Sequence, residues 1–233
     1  WKKIKTHCAK PSKPVSRIFV RQTSEDRVFK MNYKGLERFE VEEDEIGYQT
    51  GATHLVKADI SKCFPSIYTH SIPWAIHGKP TAKKNRDLML EGNLLDRSCQ
   101  ILADSQTNGL AIGPHSSNII SEIILTKIDA TLLNKYYTRF TRHIDDYTFY
   151  AANHQEAEKF IRDLNLALRE FELYLNEKKT HIVDLPQPAS ASWVNELNRF
   201  SFPIGEIRFS TVRSFLDLAL ELTQTHGTSA VLN

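Results

Sequence analysis

The sequence predicts an α+β domain in which a mainly antiparallel sheet carries helices on one face. Three observations predict it. Short runs rich in Val, Ile, Tyr, Phe and Thr alternate with longer stretches whose apolar residues recur at helical spacing, in the order β-α-α-β-β-α-β. Two of the short runs flank Asp145-Asp146 closely enough to form a hairpin. The chain is 233 residues long and 41% hydrophobic, enough to bury a real core, and has no apolar run near the roughly 20 residues that span a bilayer.

Each element follows from its own residues. His54–Ile60, H-L-V-K-A-D-I, is an apolar run of strand length that ends among polar and turn residues. Ser71–Ile76 reads as a helix, punctuated by Pro80 and Thr81. Leu88, Leu95, Cys99 and Leu102 then share one face of a longer helix, despite Gly92. Gly109–Pro114 is a turn-rich loop leading into a helix with Ile119, Ile120, Ile123, Ile124 and Ile128. Tyr136–Ile144 and Tyr147–Ala151 are strands, with Asp145 and Asp146 at the hairpin tip. Asn153 and Glu156 form a capping-box-like start for a helix with Ala157, Phe160, Ile161, Leu164, Leu168, Phe171 and Leu175 on its buried stripe. Asn176–Leu185 returns as a strand, Pro186 and Pro188 mark a boundary, and a last helix lies near Val212–Leu222.

Charge is near neutral in total, at +2, but polarised along the chain. Residues 1–34 hold ten Lys/Arg against Glu25 and Asp26; residues 35–50 hold Arg38 against six acids. A basic arm can track phosphates or simply be solvated, and charge alone does not choose. Cys8, Cys63 and Cys99 are odd in number and widely spaced, which fits a reducing, cytoplasmic setting better than a disulfide framework or zinc cluster. The chain opens on Trp1 without a signal-peptide pattern, as a fragment of something longer would.

The chemistry concentrates on carboxylates. Asp59 ends a strand, and Asp145-Asp146 sit between two others. If those strands are neighbours, three carboxylates surround one point, a cost that a cation offsets. Oxygen-only ligands suit Mg²⁺, and two such ions support in-line phosphoryl displacement.

Larger motifs surround these acids. Lys57–Tyr68, K-A-D-I-S-K-C-F-P-S-I-Y, resembles motif A of reverse transcriptases; Gly109–Asn118, G-L-A-I-G-P-H-S-S-N, resembles motif B. Arg142–Tyr147, R-H-I-D-D-Y, resembles motif C, with His143 where an aromatic is usual, and Leu175–Thr180, L-N-E-K-K-T, resembles motif D. Four motifs in order over residues 54–186 make the resemblance specific. The wording of Ser66–Lys79 and Gln106–Gly109, with Glu122 in the motif B helix, is similar to the bacterial defence-associated and abortive-infection reverse transcriptases.

The resemblance implies a reverse-transcriptase-like palm at 54–186, partial fingers with the basic arm at 1–53, and a segment at 187–233 leading to a thumb or connection. It implies polymerisation of dNTPs with two Mg²⁺ (or Mn²⁺), RNA-templated or untemplated, on a nucleic-acid or protein primer. Antiphage defence and homo-oligomers are features of that family. Asp59 and Asp145 would be the principal metal ligands, with Asp146 supporting and Ile60 lending its carbonyl. Phe64 would be the steric gate under the sugar, against an ordinary core reading. Lys179 would stabilise or protonate pyrophosphate, with Lys178 the competing choice. Gly113 would let substrate approach the backbone.

Ala111-Ile112 departs from the commoner Pro-Gln, replacing an amide with apolar contact and putting ordinary template handling in question. His143 shares a face with Asp145 as a metal ligand would only if the strand stays regular up to the turn, which disfavours ligation; His70, His77 and His115 lack metal-site spacing, while Tyr68, Trp74 and Cys63 read as packing residues. The rival to an enzyme is an inactive palm that binds nucleic acid or scaffolds an assembly; retention of three aspartates favours the enzyme. A palm-fold nucleotide cyclase would need a Gly-Gly-acidic hairpin, which Ile144-Asp145-Asp146 does not supply.

Overall fold

A computed structural model describes residues 15–22, 29–33, 47–135, 137–186, 192–203, 205–227 and 231. Most of the basic arm and acidic run, and Tyr136, lie outside the described residues. The described residues fall into two compact units, one ending at Leu185 and one beginning at Pro186.

The first unit holds a two-stranded ribbon of β1 (Ile18–Gln22) and β2 (Phe29–Tyr33), and a four-stranded sheet. The sheet comprises β3 (His54–Asp59), β4 (Phe140–His143), β5 (Asp146–Ala151) and β6 (His181–Asp184), in the order β4-β5-β3-β6. Every pairing is antiparallel. Between β3 and β4 run α1 (Cys63–Ser66), α2 (Ser71–His77), α3 (Lys79–Lys84), α4 (Glu91–Leu102) and α5 (His115–Leu133); α6 (His154–Arg169) joins β5 to β6.

Strand alternation divides the sheet into two faces. Val56 and Ala58 pair with Phe149 and Tyr147, and all four are buried in the core. Phe149 stacks on Phe160 of α6 at 4.2 Å between centroids, while the Tyr147 hydroxyl donates to Asp129 of α5. The helices therefore cover this face. Leu55, Lys57 and Asp59, paired with Tyr150, Thr148 and Asp146, point to the opposite one. The α+β architecture with helices on one face is as the sequence predicts.

Element ends differ from the sequence reading in three informative places. The hairpin turn is Ile144-Asp145, because β5 begins at Asp146, which pairs with His143. Residues 176–180 form a turn, with the Lys179 amide donating to the Asn176 carbonyl, and the strand starts only at His181. Helix α4 begins at Glu91, so Leu88 falls before it, and Leu102 is exposed at its end; Leu95 and Cys99 alone keep the expected face. The capping at Asn153 is as expected: its side chain accepts from the Glu156 amide, and Glu156 accepts from Ala152 N–H.

The second unit holds α7 (Ser192–Arg199) and α8 (Phe209–His226), the latter extending the helix expected near Val212–Leu222. Ala219, Leu222 and Val231 bury against Trp193, Leu197 and Leu218. No helix among the described residues is long and apolar enough to cross a membrane.

Candidate active site

The β3/β5 ladder places Asp59 directly opposite Asp146 at its end, so both side chains leave the same face. The Asp146 carboxyl lies within hydrogen-bonding reach of Asp59. Asp145 occupies the adjacent turn, its carbonyl accepting from Ile60 N–H at 3.3 Å. The three acids therefore share one field. Burial, reinforced by Asp59, raises the Asp145 carboxyl above its ordinary value; burial, then Asp145 and Asp59, raises Asp146.

Asp59 is anchored by two donors from the turn after α6. Asn176 Nδ2 donates to Oδ1 at 3.1 Å and Lys179 Nζ to Oδ2 at 3.0 Å, while the Asn176 amide donates to the Asp59 carbonyl. The bond and charge of Asp59 hold the Lys179 ammonium above its ordinary value. The Lys179 side chain stays 65% exposed, a cation that holds a carboxylate from the solvent side. Lys178 is exposed and makes no such contact, so the geometry distinguishes the two lysines.

A second, fully buried network lies behind the hairpin. Arg142 forks onto Asp129, with Nη2 to Oδ2 at 2.7 Å, and onto Glu122 at 2.9 Å and 3.0 Å. Tyr147 donates to Asp129 at 2.9 Å. Burial opposes the Arg142 charge, but Asp129 and Glu122 outweigh it and hold the guanidinium well above its ordinary value. Its Nη1 also donates to the Ile144 carbonyl at 2.9 Å. Ile144 has φ +58°, a conformation that costs a β-branched residue about 1–2 kcal/mol. The backbone of Arg142 pairs on its outer side with Val15 and Arg17.

The loop ahead of α5 is hung from the segment after Asp59. Leu110 N–H donates to the Phe64 carbonyl and Gly109 N–H to Ile67, both at 2.9 Å. A side chain at Gly109 would come within 3.4 Å of the Pro65 carbonyl, at a φ of +94°. Gly113 has φ +110° with open space where a Cβ would stand, so its backbone is accessible to a ligand. Phe64 is half-buried and outside the buried core, and Ile112 is 76% exposed. The Cys63 thiol, pushed up to about 12 chiefly by burial, is an inert packing group.

Among the described residues no three His, Cys, Asp or Glu side chains converge tightly enough to form a metal cluster. The donor chemistry nevertheless fits Mg²⁺, which is commonly held by one or two carboxylates and completes its shell with substrate phosphates and water. A cation there would offset the burial, and after it the mutual repulsion, that raise Asp145 and Asp146.

A family model described as reverse transcriptase (RNA-dependent DNA polymerase) matches residues 3–213. The chain belongs to that family. Membership makes this reverse transcriptase domain one of a family of nucleotidyltransferase enzymes. No curated protein matches it. Solved structures that resemble this reverse transcriptase domain include apo telomerase from Candida tropicalis truncated from its C-terminal domain (TM-score 0.44, 14% identity, 63% of this chain and 35% of that one). Also similar are the apo telomerase (0.43, 14%, 73% and 39%) and that telomerase with a TWJ fragment of telomeric RNA (0.44, 16%, 76% and 35%). The chain spans between 35% and 39% of the length of these structures.

Sequence reasoning missed Arg142, Asp129 and Asn176 as site-building residues. Strand alternation was the available signal: it places Arg142 on the same face as Phe140, and a buried charge requires a partner. Asn176 carried no signal of its own, because its contact with Asp59 spans 117 residues.

Proposed function

We propose that this domain extends a 3′-hydroxyl, or a protein hydroxyl, with deoxynucleotides. The single observation that carries this reading is Asp59 set opposite Asp146, with Lys179 on its outer oxygen. Asp59 and Asp145 would hold divalent metal, with Asp146 in support and the Ile60 carbonyl alongside. Mg²⁺, as two ions or with Mn²⁺ in its place, would acidify the attacking hydroxyl and neutralise the triphosphate. The hydroxyl oxygen attacks the α-phosphorus, the bond to the bridging oxygen breaks, and pyrophosphate leaves. Lys179 would give that leaving group a proton or a compensating charge. Phe64 would stand beneath C2′ and exclude ribose, and Gly113 would admit the substrate to the loop backbone.

We assign residues 54–186 to the palm, 1–53 to part of the fingers and 187–233 to the approach to a thumb. The wording of Ser66–Lys79 supports placement among bacterial defence-associated enzymes, acting in the cytoplasm and assembling with further copies. Ile112, exposed and apolar where an amide is commoner, favours relaxed dependence on a template. Incubating the full-length parent with Mg²⁺ and dNTPs, with and without RNA and primer, and sequencing the product tests the activity and its template use. Absence of product under all conditions, together with phage protection by Asp59→Asn and Asp145→Asn variants, would instead establish a scaffold.

A further inference from the structure

A cavity of about 300 Å³ opens beside α2, α3 and α4, and none of its lining residues belongs to the carboxylate site. Its volume lies at the lower end of ligand pockets. Two kinds of group meet there. Tyr68 and Trp74 form an aromatic corner, their rings edge-on at 5.6 Å, with His70 edge-on to Tyr68 at 4.8 Å. Lys83, Arg86 and Arg97 supply three exposed cations. Lys83 and Arg86 make no hydrogen bond or ion pair with any described residue, and Arg97 reaches only Gln100, at 3.4 Å.

The acid in this cavity is already committed. Asp96, buried, accepts from Gln100 at 2.6 Å and is paired with His70 Nδ1 at 2.5 Å. That pairing fixes the imidazole and leaves its Nε2 as the ring's remaining polar atom. The cavity thus combines aromatic walls, one oriented imidazole and a rim of three cations that form no ion pair with a described residue. Lys79 is not part of that rim, being bound over the Trp74 ring and to the Glu170 carbonyl.

We propose that this cavity binds a nucleoside phosphate, its base against Tyr68 and the Trp74 edge and its phosphates on Lys83, Arg86 and Arg97. Aromatic faces accept any base, and guanidinium groups match phosphate oxygens in bidentate fashion. The ligand is a free nucleotide or one unit of a single strand, which share this chemistry. The wall that carries Tyr68 also pairs with Asn108, and Thr69 N–H donates to the Thr107 carbonyl, immediately before the Gly109–Gly113 loop.

The test is titration of the protein with ATP in EDTA, where metal-dependent triphosphate binding at the carboxylates is abolished. Saturable binding is expected. It should weaken at least about tenfold in the Lys83→Glu/Arg86→Glu double variant, as loss of charge-assisted contacts requires, and stay unchanged in Asp145→Asn. Both substitutions in the double variant are on exposed side chains, so its fold should be intact by circular dichroism. Inorganic tripolyphosphate should bind more weakly than ATP. Displacement of ATP by an eight-residue oligothymidylate assigns the site to a strand unit, and failure to displace it assigns a free nucleotide. No ATP binding, equal affinity for tripolyphosphate, or an unaffected double variant overturns the proposal. Polymerase activity is read separately, so loss of this site and loss of the catalytic reading cannot be confused.

Discussion

Arg142 donates Nη1–H to the carbonyl of Ile144, the residue that immediately precedes Asp145. The charge that balances Glu122 and Asp129 in the core is therefore the same group that holds the Ile144-Asp145 turn in its left-handed bend. Arg142→Ala would strand two buried carboxylates and should cost about 3–5 kcal/mol in chemical denaturation. Tyr147→Phe, which removes one buried bond to Asp129, should cost only about 1–3 kcal/mol. Equal, small losses for both would show that the network contributes little to stability.

Asp145→Asn should abolish nucleotide addition while the protein folds normally, because an amide is a poor Mg²⁺ ligand. Circular dichroism and a primer-extension assay with Mg²⁺ separate these outcomes. Retained extension would remove Asp145 from the metal site.

The same acids set a pH dependence in metal-free protein. Asp145 and Asp146 have raised values when folded, so the folded state takes up protons before the unfolded one. Stability should therefore increase as pH falls from neutrality through the raised values towards the ordinary 3.8, and the contribution is absent above the raised values. Thermal melts in EDTA between pH 7 and 5 should show a rising Tm, and Asp145→Asn should flatten the slope. A falling Tm in wild type that Asp145→Asn leaves unchanged would contradict the assignment.

Lys179→Met should lower the single-turnover rate by about 10²-fold, the lower range for loss of a general acid, with nucleotide affinity little changed. Lys178→Met should be near wild type, since Lys178 does not reach Asp59. Equal effects from the two would reduce Lys179 to a surface lysine.

Phe64→Ala should raise ribonucleotide incorporation relative to deoxynucleotide without unfolding the protein, because the ring is half-buried and outside the core. Competing dNTP and rNTP in one extension reaction measures the ratio. An unchanged ratio returns Phe64 to packing.

Much of this was legible in the chain because local signals agreed. The apolar run ending at Asp59 and the Asn153 cap each rest on neighbouring residues and appear where the residues place them, and the hairpin forms as expected although its first strand covers only Phe140–His143 of the expected Tyr136–Ile144. The end of β4 differs because Ile144, a β-branched residue that reads as strand, sits in the turn at positive φ, its carbonyl held by Arg142, whose own charge is fixed by the distant Glu122 and Asp129. The Asn176–Thr180 segment was read as strand for a similar reason. Its polar side chains are spent on Asp59 and on its own backbone, not on a ladder.

The anchoring of Asp59 by Asn176 and Lys179 has a consequence for how the protein is made. Those contacts close spans of 117 and 120 residues, so Asp59 gains these two anchors only once the chain extends past Lys179. Local helices such as α6 can form early, whereas long-range strand pairing is slow because a large loop must close first. A nascent chain that ends before Asn176 thus carries Asp59, Asp145 and Asp146 and yet lacks both anchors of Asp59. The order of synthesis therefore places the anchors of the carboxylate cluster after its acids.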